Sequence, residues 1–314
     1  MDYTLAYPSR LNYYSIKLEM MELIAESKRE LLTEGMLLNS LLVGGAASYL
    51  VGFDKVKNFI LKVIDIICRM ISFLIRKFKE LFKWFTIQER DAALKTRDFL
   101  ARYETRLRQI PNFEVEIEGY RMDRRILPYA DTFGWLSDQQ TEMLITNITT
   151  GEEFFTNEVT LDMLVAKNRA TILQDRKYDN PISDNEFKIA LKEYFYGSTD
   201  KRPYRYTVLQ ALQFLQGAPD GYERCKQLQE LVVRQNEKNM ANLERQKRYY
   251  ANLDPAKNEI NVETIRKQLS ILTEYKAKTF SDCILAYEMM LQCILDLEYQ
   301  AKFICIRALQ LNIS

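Results

Sequence analysis

Residues 54–85 read DKVKNFILKVIDIICRMISFLIRKFKELFKWF, and this stretch decides the fold of the chain. Apolar side chains recur along it at intervals of three and four residues, which is the spacing of one face of an α-helix. The stretch contains no glycine or proline, so we expect a single amphipathic helix of about nine turns. We predict that its principal buried seam consists of Val56, Ile60, Val63, Ile67, Met70, Leu74, Phe78 and Leu81.

Basic residues recur at every seventh position of the same stretch and form a basic stripe: Lys55, Lys62, Arg69, Arg76 and Lys83. Because seven residues are close to two helical turns, these charges lie on one slowly rotating line. Three interpretations are open. The helix covers a protein core and leaves the stripe in water, or it packs against copies of itself or neighbouring subunits, or it lies on a membrane surface.

The composition of the chain excludes several kinds of catalytic site. The 314 residues contain no histidine, which rules out Ser-His-Asp and Cys-His arrangements. The five cysteines contain no CxxC pair, so we expect no zinc site. Phosphate-binding, dinucleotide-binding and metalloprotease patterns are also missing from the sequence. We therefore expect no enzymatic activity, no metal and no cofactor. The net charge of +1 gives no overall electrostatic footprint for nucleic acid, so we expect no specific nucleic-acid partner.

The N-terminal third reads as helical on both sides of this stretch. We expect a helix from about Ser15 to Glu34. The uncharged block at 36–53 that follows suits a small-residue packing helix, or a helix broken at Gly44-Gly45, better than a membrane span. After the amphipathic helix, Thr86 can cap a new helix, with Glu89 three places later completing a capping box. Pro111 should end that helix.

The central part shows the clearest β-strand signal of the chain. Residues 113–122, FEVEIEGYRM, alternate apolar and acidic side chains, which is typical of a half-exposed strand. Helices are predicted near 160–173 and 184–196, the second capped by Ser183 with Glu186 at the third position. The polar and aromatic segment that follows, YGSTDKRPYRYT, reads as a loop.

The last third reads as almost entirely helical. We predict a helix over 207–216, a turn at Pro219-Asp220-Gly221, a polar helix over 221–252 and an apolar helix over 262–311. The two long helices, separated by a break near Asp254-Pro255, should form an antiparallel hairpin.

The predicted fold class is mainly α, with long amphipathic helices, a C-terminal helical hairpin and a small β element in a mixed central region. We divide the chain into an N-terminal helical region with the long amphipathic helix (1–110), a mixed α+β region (111–205) and the C-terminal hairpin (206–314).

Three passages resemble virion structural proteins of large-genome contractile-tailed bacteriophages. They are LLTEGMLLNSLLVGG followed by FILKVIDIICRMISFLIRKFKELFKWF, then RDFLARYETRLRQIPNFEVEIEGYRM, and finally YKAKTFSDCILAYEMMLQCILDLEYQAKFICIRALQ. The likeness covers about half of the chain and departs from the family in the strongly apolar last helix with its three cysteines. Leu32-Thr33-Glu34-Gly35 is similar to the cleavage signal of phage prohead proteases, which makes Glu34 and Gly35 candidate processing residues.

The resemblance implies a non-enzymatic, multi-copy component of the head, neck or baseplate. Such a protein is assembled in the host cytoplasm and built into the virion, where its partners are other virion proteins and copies of itself. Two alternatives stay open. A membrane-active protein would insert residues 36–85 into a bilayer, and an intracellular coiled-coil adaptor would dimerise through 221–311.

Overall fold

The computed structural model describes residues 18–19, 22, 29, 49–118, 160–173, 177, 180–197, 203–252 and 262–312. The elements in chain order are α1 (Tyr49–Leu107), β1 (Glu114–Glu118), α2 (Leu161–Leu173), α3 (Asp184–Tyr196), β2 (Pro203–Thr207), α4 (Val208–Ala251) and α5 (Val262–Asn312). The described part of the chain is therefore mainly α with one small antiparallel sheet, as predicted. Leu18, Glu19, Glu22 and Arg29 are helical, which agrees with the predicted N-terminal helix at those four positions.

Helix α1 corrects the predicted break at residue 86. It runs for 59 residues without interruption, and Thr86 is an exposed position inside it. Glu89 does not close a capping box, because its side chain is buried and accepts a hydrogen bond from the Tyr287 hydroxyl. The contact with Tyr287 overrides the local capping pattern, because a glutamate side chain that is buried against another helix cannot accept a hydrogen bond from the backbone at a helix start.

The small sheet pairs the predicted strand with a segment that the sequence had indicated to be a loop. In β1 the side chains of Val115 and Ile117 are buried and the three glutamates are exposed. Its partner β2 lies inside YGSTDKRPYRYT and runs antiparallel, with Glu116 opposite Arg205. Arg205 Nε donates to Glu116 Oε2 at 2.9 Å. The loop prediction was wrong because five residues beginning with proline carry little strand signal without their partner.

The junction between β2 and α4 explains why that helix begins where it does. The backbone N–H of Thr207 donates to Gln210 Oε1 at 2.9 Å, and the N–H of Gln210 donates to Thr207 Oγ1 at 3.2 Å. This reciprocal arrangement is a capping box. The next two backbone N–H groups, of Val208 and Leu209, donate to the carbonyls of Phe113 and Pro111. The start of α4 is thereby fixed to the turn that follows α1.

The predicted turn at 219–221 is also wrong, because α4 continues through Pro219. On either side of this proline, the helix buries Leu212, Leu215, Ala218 and Tyr222 at helical spacing. Pro219 itself is exposed. The missing backbone N–H of a proline costs a helix about 3 kcal/mol, and burial of an apolar face on both sides of it outweighs that cost.

Gly217 offers a direct test of helical continuity at this point. It lies in the interior of α4, and a Cβ built on it meets nothing within 4 Å. Alanine is favoured over glycine in a helix interior by about 1 kcal/mol, so Gly217→Ala should raise the free energy of unfolding by about that amount in urea denaturation. Gly197, with φ 78, is the control, because alanine there is strained and should lower stability. A destabilised Gly217→Ala protein would contradict the continuous helix.

The capped helices of the central region follow the sequence closely. Helices α2 and α3 begin and end within a residue of their predicted bounds. Ser183 and Glu186 form the predicted capping box before α3: Glu186 N–H donates to Ser183 Oγ at 3.2 Å and Ser183 N–H donates to Glu186 Oε2 at 2.8 Å. Helix α4 ends at Ala251 and α5 begins at Val262, and the predicted break at Asp254-Pro255 lies outside the described residues.

The chain folds as two compact units. Unit 1 comprises Met1–Lys79, Ser137–Val165 and Val233–Ser281. Unit 2 comprises Glu80–Leu136, Ala166–Val232 and Asp282–Ser314. Each of the three long helices α1, α4 and α5 therefore contributes one part to each unit. The division into three consecutive regions stays a prediction.

Candidate functional site

The predicted seam lies on α1, and its eight side chains are outside those that the structure describes: Val56, Ile60, Val63, Ile67, Met70, Leu74, Phe78 and Leu81. The seam therefore stays a prediction. The described part of α1 in unit 1 buries Ile64, Cys68 and Ile71 on one side and Ile66 and Phe73 on the other. At about 100° per residue these two groups face nearly opposite directions. Within unit 1, α1 is covered on two sides.

The basic stripe lies on the surface of α1. Its members Lys62, Arg69, Arg76 and Lys83 are exposed, and the side chain of Lys55 lies outside the described residues. Because α1 does not end at residue 86, the seven-residue spacing continues through Arg90 and Arg97, which are also exposed. The sequence interpretation missed these two cations because it placed a helix start between them and the stripe. Six exposed cations thus share one heptad line on a single helix.

Two large apolar side chains are exposed beside the C-terminal half of this line. Ile87 is 61% exposed and Leu94 is 44% exposed, and they are also seven residues apart. A second exposed apolar group lies on α5, where Tyr299, Phe303 and Ile306 follow helical spacing. Exposed apolar side chains that recur at helical spacing are typical of protein contact surfaces.

Within unit 1, α1 and α4 run antiparallel and are joined by polar contacts. Lys247 Nζ lies 2.6 Å from Asp65 Oδ1, and Lys79 Nζ lies 3.5 Å from Glu237 Oε1. These contacts are at least partly exposed, so they orient the helices more than they stabilise them.

Arg169 on α2 in unit 2 is a buried cation, and its side chain is 2% exposed. Its Nε and Nη2 donate to the two carboxylate oxygens of Asp282 on α5, at 2.7 and 3.0 Å. Nη1 donates to the Ile182 carbonyl at 2.8 Å and Nη2 to Asp184 Oδ1 at 2.6 Å. The guanidinium also lies 4.7 Å from the ring centre of Phe187. One side chain therefore ties α2 to the start of α3 and to α5.

Three further carboxylates in unit 2, of which Glu89 and Glu298 are buried and Asp296 is half-buried, each accept a hydrogen bond from a tyrosine hydroxyl. The pairs are Tyr287 with Glu89, Tyr222 with Glu298, and Tyr196 with Asp296. Glu298 also receives Lys302 Nζ at 2.8 Å, and Asp296 receives Gln292 Nε2 at 2.8 Å. These groups link α1, α3 and α4 to α5. A buried polar group must be paired to be tolerated, and here the pairing joins separate helices.

Burial shifts the protonation of two of these carboxyls. Desolvation raises the pKa of Glu89 above its ordinary value; the Tyr287 hydrogen bond opposes that effect, and the charge of Glu223 adds to it. Desolvation likewise raises the pKa of Asp296, against the hydrogen bonds from Tyr196 and Gln292. In both cases the interior favours the neutral acid.

A raised carboxyl pKa makes stability fall as the pH increases. The folded protein retains the Glu89 proton to a higher pH than the unfolded chain, so the free energy of unfolding declines from the ordinary carboxyl pKa up to the raised one. Glu89→Gln should remove part of this decline, leaving the part due to Asp296. The variant should match the natural protein below pH 4.5 and exceed its stability at neutral pH.

Thermal unfolding followed from acid to neutral pH measures this difference. The exposed Glu230 on α4 supplies the control, because Glu230→Gln makes the same chemical change without removing a buried carboxyl. Equal slopes for the natural protein and Glu89→Gln would show that Glu89 titrates alike in both states.

The buried cysteines are poor nucleophiles. Burial raises the pKa of the Cys305 thiol to about 12 and that of Cys68 to about 11, where Glu244 and Asp65 add to the effect of burial. Cys293 donates its S–H to the Phe195 carbonyl at 3.4 Å. A thiol with so high a pKa is almost fully protonated at neutral pH. Cys68 and Cys305 therefore pack as small apolar residues, and Cys293 is a buried thiol that is 0% exposed.

The remaining predicted features concern metal, membrane and processing. In the described ranges, no group of three or more cysteine, aspartate or glutamate side chains is arranged to hold a metal ion. Among the helices described, we find none that combines the length and the apolar character needed to cross a bilayer. The candidate processing residues Glu34 and Gly35 lie outside the described residues.

Comparison of this chain with protein-family models, with curated proteins and with solved structures finds no match.

Proposed function

We propose that this chain is a non-catalytic structural subunit of a multiprotein particle, and that the particle is the virion of a contractile-tailed bacteriophage. The observation that supports a structural role most directly is the exposed surface of α1. A heptad line of six cations with Ile87 and Leu94 beside it repeats at the spacing used by helices that bind other helices. The choice of particle rests on the sequence resemblance.

The buried polar groups of unit 2 support the same role. Arg169 and the tyrosine-bonded carboxylates form hydrogen bonds between different helices of the unit. Fully paired buried groups of this kind hold helices in one arrangement. A stiff helical unit that presents a repeating surface suits a component that must bind neighbours in a fixed geometry.

Mass spectrometry of purified particles tests the proposal. We expect peptides of this chain in gradient-banded virions at a constant ratio to the other structural proteins, and partial disassembly should assign them to head, neck or baseplate. A particle-derived peptide that begins at Gly35 would show processing after Glu34. Absence of the chain from banded particles, with the intact protein present in the infected cell, would overturn the virion assignment.

The alternative in which residues 36–85 insert into a bilayer has less support. Insertion would require Ile64 and Ile71, both 0% exposed within unit 1, to exchange their protein contacts for lipid. Flotation of the full chain with anionic vesicles separates the two functions. Salt-sensitive flotation would favour the membrane function, whereas a protein that stays at the bottom of the gradient is expected of a structural subunit.

A further inference from the structure

The part of α1 that belongs to unit 2 exposes three parallel rows of side chains. The cation row is Lys83, Arg90 and Arg97; the apolar row is Ile87, Leu94 and Ala101; the acid row is Asp91 and Asp98, followed by Thr105. All nine positions are exposed. Each row repeats every seven residues, and each apolar residue follows a cation by four places and precedes the acid row by four places.

The geometry of an α-helix arranges these rows side by side. Four residues advance about 400°, so the cation and acid rows lie about 40° to either side of the apolar row. From Lys83 to Arg97 the face is about 21 Å long. Lys95 and Arg102 are about 100° from the apolar row and so belong to a different face. The surface therefore carries positive charge on one flank, negative charge on the other and apolar side chains between them.

The charged side chains of this face have no ion-pair partner among the described residues. Lys83, Arg90, Asp91, Arg97 and Asp98 make no ion pair or hydrogen bond with the described part of the chain through their side chains. Elsewhere in unit 2 the exposed charges of Arg108 and Arg205 are paired with nearby glutamates. The rows thus form an ordered pattern of charge that the described residues of the monomer do not use.

We propose that this three-row face binds the same face of a second copy of the chain, with the two α1 helices parallel. The inference deepens the proposed structural role and rests on it. A parallel two-fold axis turns the cation flank of one copy towards the acid flank of the other. Arg90 then faces Asp91 of the second copy and Arg97 faces its Asp98, nearly level because each pair differs by one residue, about 1.5 Å of rise.

The apolar rows meet between these pairs, with Ile87, Leu94 and Ala101 each opposite its own equivalent. An antiparallel pair would instead place one cation row against the other, and like charges facing each other disfavour that arrangement. Parallel pairing is therefore the orientation in which both charged flanks are complementary.

Other classes of partner fit this face less well. Nucleic acid and anionic lipid both attract cations, but Asp91 and Asp98 would repel either one, and the exposed Ile87 would face phosphate. A partner that supplies an acid row, an apolar row and a cation row in that order satisfies all three, and a second copy does so by symmetry.

Charge reversal of one flank at a time tests the pairing. Arg90→Asp with Arg97→Asp makes both flanks acidic, and Asp91→Arg with Asp98→Arg makes both cationic. Sedimentation equilibrium of the full-length protein should show self-association of the natural chain, weakened by roughly tenfold or more in each double variant because like charges then meet. An equal mixture of the two variants should recover association, and native mass spectrometry should show one copy of each.

Two outcomes would overturn the proposal. The natural chain could stay monomeric up to its solubility limit, or both charge-reversed variants could associate as well as the natural chain. Loss of DNA or vesicle binding on reversal of Arg90 and Arg97, in a chain that stays monomeric, would assign the face to those ligands instead. None of these results bears on whether the chain occurs in purified virions. Sedimentation therefore tests the pairing, and mass spectrometry of particles tests the virion assignment independently.

A single cysteine reports the orientation. Ala101→Cys should be crosslinked efficiently between copies by a short bismaleimide, because parallel pairing brings the two residues 101 together. Lys95→Cys, exposed on a different face, and the natural chain provide the controls. Crosslinking of Ala101→Cys no higher than these controls would overturn the parallel arrangement.

Discussion

Arg169→Ala should lower the free energy of unfolding by about 3–5 kcal/mol, the cost of removing one partner from a buried ion pair. The substitution removes two hydrogen bonds to Asp282, which is 6% exposed, and leaves that carboxylate without its guanidinium. It also removes the bonds to the Ile182 carbonyl and to Asp184. The Asp184 bond contributes less, because the Asp184 side chain is 71% exposed and water competes for it.

Urea denaturation followed by circular dichroism measures this loss. Arg205→Ala is the matched control: it breaks the exposed pair with Glu116 and should change stability by about 1 kcal/mol or less. Arg169→Lys keeps the charge but loses the bidentate hydrogen bond to Asp282, so we expect an intermediate loss of stability. If Arg169→Ala is too unstable to purify, Arg169→Lys and Asp282→Asn carry the same comparison.

A double variant separates the ion pair from the packing around it. Arg169→Met combined with Asp282→Leu removes both charges and retains apolar volume, and such replacements are often neutral or better. We expect the double variant to be more stable than Arg169→Ala. If Arg169→Ala proved no more harmful than Arg205→Ala, the cluster would have no part in holding α2, α3 and α5 together.

Features with a local cause were predictable from the sequence. Ser183 and Glu186 form their capping box three residues apart, and the alternation in β1 is visible within five residues. Helices α2 and α3 have clear starts and stops. In these cases the deciding interaction lies within one or two turns of the chain. Whether the basic stripe is a binding surface stays a prediction, although four of its five side chains are exposed and that of Lys55 lies outside the described residues.

Features decided by distant partners were not predictable. Glu89 fits a capping box locally, but its partner Tyr287 is 198 residues away, and the contact keeps α1 continuous through Thr86. Arg169 reads as an ordinary helix charge, since Asp282 is 113 residues away. Segment β2 is a strand because it pairs with β1, and the paired residues Arg205 and Glu116 are 89 positions apart in the sequence. A periodicity analysis of a single chain has no access to these pairings.

The three-row face shows the same limit at the level of the candidate site. Its residues were all visible in the sequence, but the presumed helix start at Thr86 separated Lys83 from Arg90. Only the continuous α1 places the cation row, the apolar row and the acid row on one helix. A wrong helix boundary thus concealed a surface whose individual residues carry no signal of their own.

Ile71→Ala should lower the free energy of unfolding by about 2–5 kcal/mol, because it removes three buried carbon atoms and leaves a cavity. Ile71 is 0% exposed on the part of α1 that belongs to unit 1. The matched control lies on the same helix: Ile87 is 61% exposed, so Ile87→Ala should change stability by about 0.5 kcal/mol or less. Both substitutions make the same change in helix propensity, so their difference isolates burial.

Dilute protein is required for this comparison, so that pairing of copies through Ile87 does not contribute to its stability. Urea denaturation gives the two free energies, and hydrogen exchange shows where each variant loosens. We expect Ile71→Ala to speed the exchange of backbone amides around residues 64–73 and Ile87→Ala to leave them protected. Ile64, also 0% exposed, should behave like Ile71. Equal stability losses at Ile71 and Ile87 would mean that α1 does not bury this side against unit 1, and the helix would then lose the packing that holds it in the fold.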